Sequence, residues 1–74
     1  MMHRELFQNV AEGLRKRRYE LRLTQKAVAE IAGCHWTFVS DVEREKPTVR
    51  LDKLLDVLHA VGLDLQLVQD TDGR

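Results

Sequence analysis

Cationic side chains are the residues of this 74-residue chain most suited to binding a ligand, because guanidinium and ammonium groups pair with phosphates. The formal net charge is zero, but residues 1–34 carry seven Lys or Arg against four Asp or Glu, and residues 51–74 carry two against five. Most of the basic excess comes from Arg15, Lys16, Arg17, Arg18, Arg22 and Lys26. Basic runs of this length are also common on solvated helix faces, so their position in the fold has to distinguish the two interpretations.

The sequence offers no pattern typical of an enzyme or a metal site. Cys34 is the single cysteine, so no internal disulfide can form, and a buried, inert thiol is the expectation there. The spacing of His3, His35 and His59 does not match that of metal ligands. The sequence also offers no combination of a nucleophile with a base, and no glycine-rich phosphate loop. We therefore expect no catalysis, no metal and no cofactor.

The length and hydropathy of the chain set two further expectations. No apolar stretch has the length of a secretory signal or a membrane span, which predicts a cytoplasmic protein that makes no contact with a membrane. A chain this short buries only about 60% of its unfolded surface, so a dimer is a natural source of extra stability.

Apolar spacing of three and four residues predicts four helices, over residues 5–21, 25–32, 36–44 and about 51–61. Thr24 is the expected N-cap of the second helix, with Ala27, Val28 and Ile31 facing inward, and Gly33 is expected to end it. Leu51, Leu54, Leu55 and Leu58 form the predicted apolar stripe of the fourth helix. Two short helices joined through a glycine turn match the helix-turn-helix spacing.

The period changes after Gly62, where Leu63, Leu65 and Leu67 alternate with polar residues. This alternation predicts a strand over residues 63–68, which would pair with the same strand of a second copy because the rest of the chain is helical. A disordered tail, or a segment docked on the chain's own helices, is the alternative. The predicted organisation is a domain over residues 1–62, a dimerisation strand over 63–68 and a flexible tail over 69–74.

The helical region resembles the XRE/Cro-type helix-turn-helix regulators of phages and bacteria. The residues that carry the resemblance are Arg18, Leu23-Thr24-Gln25, Ala29, Ala32-Gly33, Val39-Ser40 and Val42-Glu43-Arg44. The resemblance implies an all-α, lambda-repressor-like fold of four helices and a homodimeric repressor of double-stranded DNA with a palindromic operator. Glu45 departs from the family's usual glycine, and a left-handed backbone there would cost about 1 kcal/mol.

The segment 62–68 also resembles the end of HipB-like antitoxins, which repress their own operon and bind a HipA-like kinase toxin. On that interpretation the acidic residues Asp52, Asp56, Asp64, Asp70 and Asp72 would contact the toxin. The alternatives are a stand-alone regulator, in which those charges only solvate the surface, and a protein-binding adaptor with a vestigial helix-turn-helix.

The resemblance assigns roles to individual residues. It implies a structural ion pair between Arg18 and Glu43, and a third helix in the major groove. The positions of that helix outside the core are Trp36, Thr37, Ser40 and Asp41, which we expect to contact bases, although Trp36 could equally pack against a neighbouring helix. The expected phosphate contacts are Thr24, Gln25 and Lys26 at the start of the second helix, and Arg44, Lys46, Thr48, Arg50 and Lys53 after the third. Individually these could be ordinary surface residues.

Overall fold

A computed structural model describes residues 4–69 and contains four helices in that range. The helices are α1 (Arg4–Glu20), α2 (Gln25–Ala32), α3 (Trp36–Glu43) and α4 (Leu51–Ala60). The all-α, four-helix prediction is confirmed, and each boundary lies within about one residue of its expected position. His3, Asp70, Asp72 and nearly all of the predicted tail lie outside the described residues.

The core is built from one side of every helix. Leu14, Val28, Val39 and Val57, one from each helix, are completely buried. Helix α2 packs against both α3 and α4, and α1 packs against α3. Helix α3 is thereby covered on two sides and keeps a further side free.

Two apolar residues predicted to face the core are instead exposed. Ile31 is 60% exposed, because the buried stripe of α2 runs through Val28, Ala29 and the half-buried Ala32, and Ile31 lies beside it. Leu51 is 61% exposed in the first turn of α4, whose buried side begins at Leu54. Both predictions placed the residue in the right helix, but the face of each helix that packs against the core is narrower than predicted.

The turn between α2 and α3 fixes the direction of α3. Thr24 caps α2 as predicted, its hydroxyl accepting from the amide of Ala27 at 3.0 Å. Gly33 adopts a left-handed backbone (φ +77°), and its amide donates to the carbonyl of Ala29, as does the amide of Cys34. Glycine is the residue that tolerates this conformation best, so α2 ends here, and three residues separate it from the start of α3.

The N-cap of α3 is His35, whose Nδ1 accepts from the amide of Thr37 at 3.2 Å and lies 2.8 Å from the Thr37 hydroxyl. Sequence reasoning considered His35 only as a metal ligand and missed this cap. Its position directly before a predicted helix, together with a ring nitrogen able to accept a hydrogen bond, was the available signal.

The loop after α3 closes with a backbone motif centred on Glu45. Glu45 has φ +65°, so this non-glycine residue adopts the left-handed backbone and not another turn. Its amide donates to the carbonyl of Val42, and the amide of Lys46 donates to the carbonyl of Asp41, both at 3.0 Å. These bonds fold the loop back on the end of α3. Among residues 4–69, Arg22 is a second non-glycine residue with a left-handed backbone (φ +58°); it lies in the turn after α1 and was not foreseen.

Residues 63–69 form no strand within the described part of the chain. A strand is defined by its ladder, and the four helices of a single copy offer no partner for one. The amide of Leu63 donates to the carbonyl of Leu58, and the Leu63 side chain packs on the core. Leu67 and Val68 are almost completely exposed.

Candidate nucleic-acid interface

A buried ion pair joins α1 to α3. The Arg18 guanidinium donates to both carboxylate oxygens of Glu43, from Nε at 2.6 Å and from Nη2 at 2.9 Å. Both residues are buried, and the hydrogen bonds to Glu43 raise the pKa of Arg18 above its ordinary value. Nη1 of Arg18 donates to the carbonyl of Leu23, and the ring of Tyr19 lies 4.7 Å from the guanidinium carbon. Each of the three guanidinium nitrogens of Arg18 therefore donates a hydrogen bond, and the ion pair joins α3 to α1.

Two further arginines of α1 bind the ends of other helices. Arg15 donates to the carbonyl of Glu43, the last residue of α3, at 3.0 Å, and Arg17 donates to the carbonyl of Val61 after α4 at 2.9 Å. The last carbonyls of a helix lack intrahelical partners and carry partial negative charge, so a guanidinium is well matched to them. These arginines are neither a solvated face nor a free basic patch. Sequence reasoning missed this role because it depends on how distant helices pack.

The four residues expected to contact bases lie on the side of α3 that faces away from the core. Val39 and Val42 are buried, whereas Trp36 is 41% exposed, Thr37 is exposed, and Ser40 and Asp41 are half-buried. Positions 36, 37, 40 and 41 share one face of a helix, because residues three to four apart are neighbours. The Trp36 ring lies beside that of His35, with centroids 5.8 Å apart. Phe38 lies outside this face and packs against the core.

Three of the expected phosphate contacts are paired with carboxylates of the same chain. Arg44 and Lys46 lie 2.9 and 3.5 Å from the two carboxylate oxygens of Asp41, and Arg50 lies 2.6 Å from Asp52. The hydrogen bond from Arg44, with Lys46 nearby, lowers the pKa of Asp41, and Arg50 does the same for Asp52. All three cations are more than half exposed, so these are surface pairs that can exchange partners.

The remaining expected phosphate contacts lie in two places. Thr24 and Lys26 are exposed at the start of α2, whereas Gln25 is half-buried and its side-chain amide donates to Glu43 at 3.2 Å. Thr48 is exposed in the loop before α4, and Lys53 is half-buried in its first turn. Gln25 is therefore tied to the buried ion pair in the free chain.

Three observations concern other kinds of site. Within residues 4–69, His, Cys, Asp and Glu side chains nowhere form a group of three that could hold a metal ion. In the same range no helix is both long enough and apolar enough to cross a membrane. Cys34 is half-buried, and its removal from water raises the pKa of the thiol.

Comparison with known proteins assigns the chain to a family. It is 33% identical over 57 residues to the uncharacterized HTH-type transcriptional regulator y4mF of Sinorhizobium fredii strain NGR234, an alignment that covers 77% of this chain and 75% of that protein. The chain thus belongs to the helix-turn-helix transcriptional regulators, a family without enzymatic activity. No family model matches the chain, and no solved structure matches it significantly.

Proposed function

We propose that the protein is a sequence-specific DNA-binding repressor that inserts α3 into the major groove. The observation that carries this proposal is the outward face of α3, where Thr37 and Ser40 are accessible. On the buried side of α3, the pair between Arg18 and Glu43 joins the helix to α1. Both hydroxyls can donate and accept hydrogen bonds at base edges. A recognition helix needs this combination of an exposed polar side and a rigid mounting.

Phosphate contacts would flank that helix. The amides at the start of α2, with Thr24, Gln25 and Lys26, form a cationic helix end suited to a phosphate. On the other side, Arg44, Lys46, Thr48, Arg50 and Lys53 follow α3 within ten residues. These contacts position the protein on DNA, and the small number of hydroxyl contacts from α3 supplies modest sequence readout. Asp41 and Trp36 would add a cytosine amino contact and a thymine methyl contact.

We propose that the active species is a homodimer whose C-terminal segments pair. Leu67 and Val68 are exposed, and Leu65, two residues before Leu67, lines a groove of about 170 Å³ together with residues of α1, α4 and the loop before α4, including Leu6, Leu51 and Val49. A second copy supplies the same apolar segment, so strand pairing over residues 63–68 would cover these side chains on both chains. Deleting residues 63–74 should shift the sedimenting species toward monomer, and an unchanged dimer would contradict this interface.

The test of DNA binding uses a duplex of about 25 base pairs selected by the wild-type protein from a random library, compared with a random-sequence duplex. Affinity for both should fall steeply with salt, because phosphate contacts release counterions. Replacing Thr37 and Ser40 with alanine should weaken binding to the selected duplex by about tenfold and leave the random duplex nearly unaffected. Equal losses on both duplexes, with an unchanged circular dichroism spectrum, would remove these two residues from base readout.

A second candidate function is that of a HipB-like antitoxin, supported by the alternating segment 62–68 and by the exposed acidic residues Asp52, Asp56 and Asp64. In that case a kinase-like chain encoded next to this one should form a complex with it. Co-expression of the two chains and gel filtration tests the idea, and the absence of such a neighbouring gene leaves the stand-alone regulator as the function.

A further inference from the structure

Asp41 is a carboxylate on the helix that is proposed to meet DNA. Its two oxygens hold different cations, with Oδ1 2.9 Å from Nη2 of Arg44 and Oδ2 3.5 Å from Nζ of Lys46. The carboxylate side chain is only 23% exposed, whereas the Arg44 and Lys46 side chains are 73% and 51% exposed. The anion therefore lies against the helix, and the two cations lie farther out.

The backbone keeps these three groups together. The amide of Arg44 donates to the carbonyl of Ser40, and the amide of Lys46 donates to the carbonyl of Asp41 itself. The left-handed turn at Glu45 between them folds the loop toward the end of α3. The loop therefore holds the backbone of Arg44 and Lys46 close enough to α3 for both side chains to reach Asp41.

We propose that Asp41 determines specificity by making phosphate contacts of Arg44 and Lys46 conditional on a matching base. This inference rests on the proposed DNA-binding function. A cation that moves from Asp41 to a phosphate leaves the carboxylate partly desolvated beside the negatively charged duplex, which is unfavourable. A base that presents an amino group in the major groove, such as cytosine, can donate to that carboxylate and replace the cation.

The two kinds of DNA would then be treated differently. At a site with the amino group in place, Asp41 is satisfied by the base and both cations are free to bind phosphates. At other sites the cations stay with Asp41, and the duplex is held by fewer phosphate contacts. The carboxylate would therefore weaken non-specific binding more than specific binding.

The surface pair between Arg50 and Asp52 differs from the pairs of Asp41 in its position. Asp52 lies in the first turn of α4, where it accepts from the amide of Lys53 at 2.8 Å. A carboxylate at a helix N-terminus is stabilised by the helix itself, so the loss of Arg50 to a phosphate costs less there. Asp52 also lies outside α3, the helix that is proposed to contact bases.

The test compares wild type and Asp41→Asn on the selected duplex and on the random-sequence duplex over a range of salt concentrations. The variant should bind the random duplex about tenfold more tightly, and its plot of log affinity against log salt should steepen by about 1 to 2, because two cations become available. The ratio of selected to random affinity should fall by about tenfold or more. Equal gains on both duplexes would overturn the proposal, because they would indicate only the removal of general repulsion.

Two controls separate the pairing from the change in net charge. Asp56→Asn makes the same charge change at an exposed residue of α4 that has no ion pair within residues 4–69, and should leave the affinity ratio unchanged. Asp41→Asn combined with Arg44→Met and Lys46→Met should lose the gain on random DNA, and a gain that persists would contradict the proposal. If wild type binds neither duplex, the proposed function itself is wrong.

Discussion

Two groups of arginines and lysines in this molecule have opposite uses. Arg15, Arg17 and Arg18 of α1 bind two helix ends and a buried carboxylate, and they join α1 to α3 and to the end of α4. Arg44, Lys46 and Arg50, which follow α3, pair instead with exposed or half-buried aspartates at the surface. Basic residues thus stabilise the fold in the first region, whereas in the second region they can exchange their aspartate partners for other anions.

The difference shows that burial and partner decide what a cation does. A guanidinium with a buried carboxylate cannot leave it without stranding both charges, whereas a surface ion pair contributes little and is readily broken. Three of the seven basic residues in positions 1–34 are therefore committed to holding the helices together, whereas the other four are exposed. The cations after α3 are available to a polyanion, and so is the exposed Lys26 at the start of α2.

Removing the buried carboxylate should produce the largest effect on stability. Glu43→Gln leaves the Arg18 guanidinium buried without a counter-charge, which should lower the free energy of unfolding by about 3–5 kcal/mol. Urea unfolding followed by circular dichroism measures this change. Asp52→Asn, which breaks an exposed pair, is the control and should leave the midpoint nearly unchanged. If Glu43→Gln and the control unfold at the same urea concentration, the buried and the exposed ion pairs contribute equally to stability, which would contradict the distinction between the two groups of cations.

The elements of the fold could be predicted from sequence where the signal is local. Helix periodicity, the Thr24 cap and the Gly33 stop depend on neighbouring residues, and the structure has all three. The roles of Arg15 and Arg17 could not be predicted, because each contacts a carbonyl 28 or 44 residues away along the chain.

The candidate site was predictable only in part for the same reason. The spacing of α3 gave the side of the helix on which Thr37 and Ser40 lie, because the buried positions Val39 and Val42 repeat along it. The pairing of Arg44 and Lys46 with Asp41 was not foreseen, because it depends on a loop that turns back through a left-handed residue. The strand over residues 63–68 remains a prediction, because it requires pairing between two copies of the chain.

Neutral replacements in the two groups should separate stability from DNA binding. Arg15→Met removes the hydrogen bond to the end of α3 and should lower the free energy of unfolding by about 1 kcal/mol while leaving the salt dependence of DNA binding unchanged. Arg44→Met should leave stability nearly unchanged and reduce the salt slope on the selected duplex by about 1. Chemical unfolding and salt titrations on both variants provide the data. A reduced slope for Arg15→Met would mean that α1 also contacts phosphates.

The smallest expected effect is the dependence of stability on acid through Asp41. Because Arg44 and Lys46 lower the pKa of Asp41 in the folded chain, its ionised form stabilises the fold above the unfolded pKa of about 3.9, and this contribution is lost as the pH falls through the lowered value. Wild type should therefore unfold at slightly higher urea than Asp41→Asn at pH 7, and the two midpoints should converge at a pH well below the lowered pKa of Asp41. Midpoints that differ equally at both pH values would show that the carboxylate's charge is not the cause. The attraction between Asp41 and the two cations stabilises the free chain at neutral pH, and DNA has to overcome the same attraction before Arg44 and Lys46 can bind phosphates. The small stability difference and the weaker binding of random DNA should therefore have the same cause.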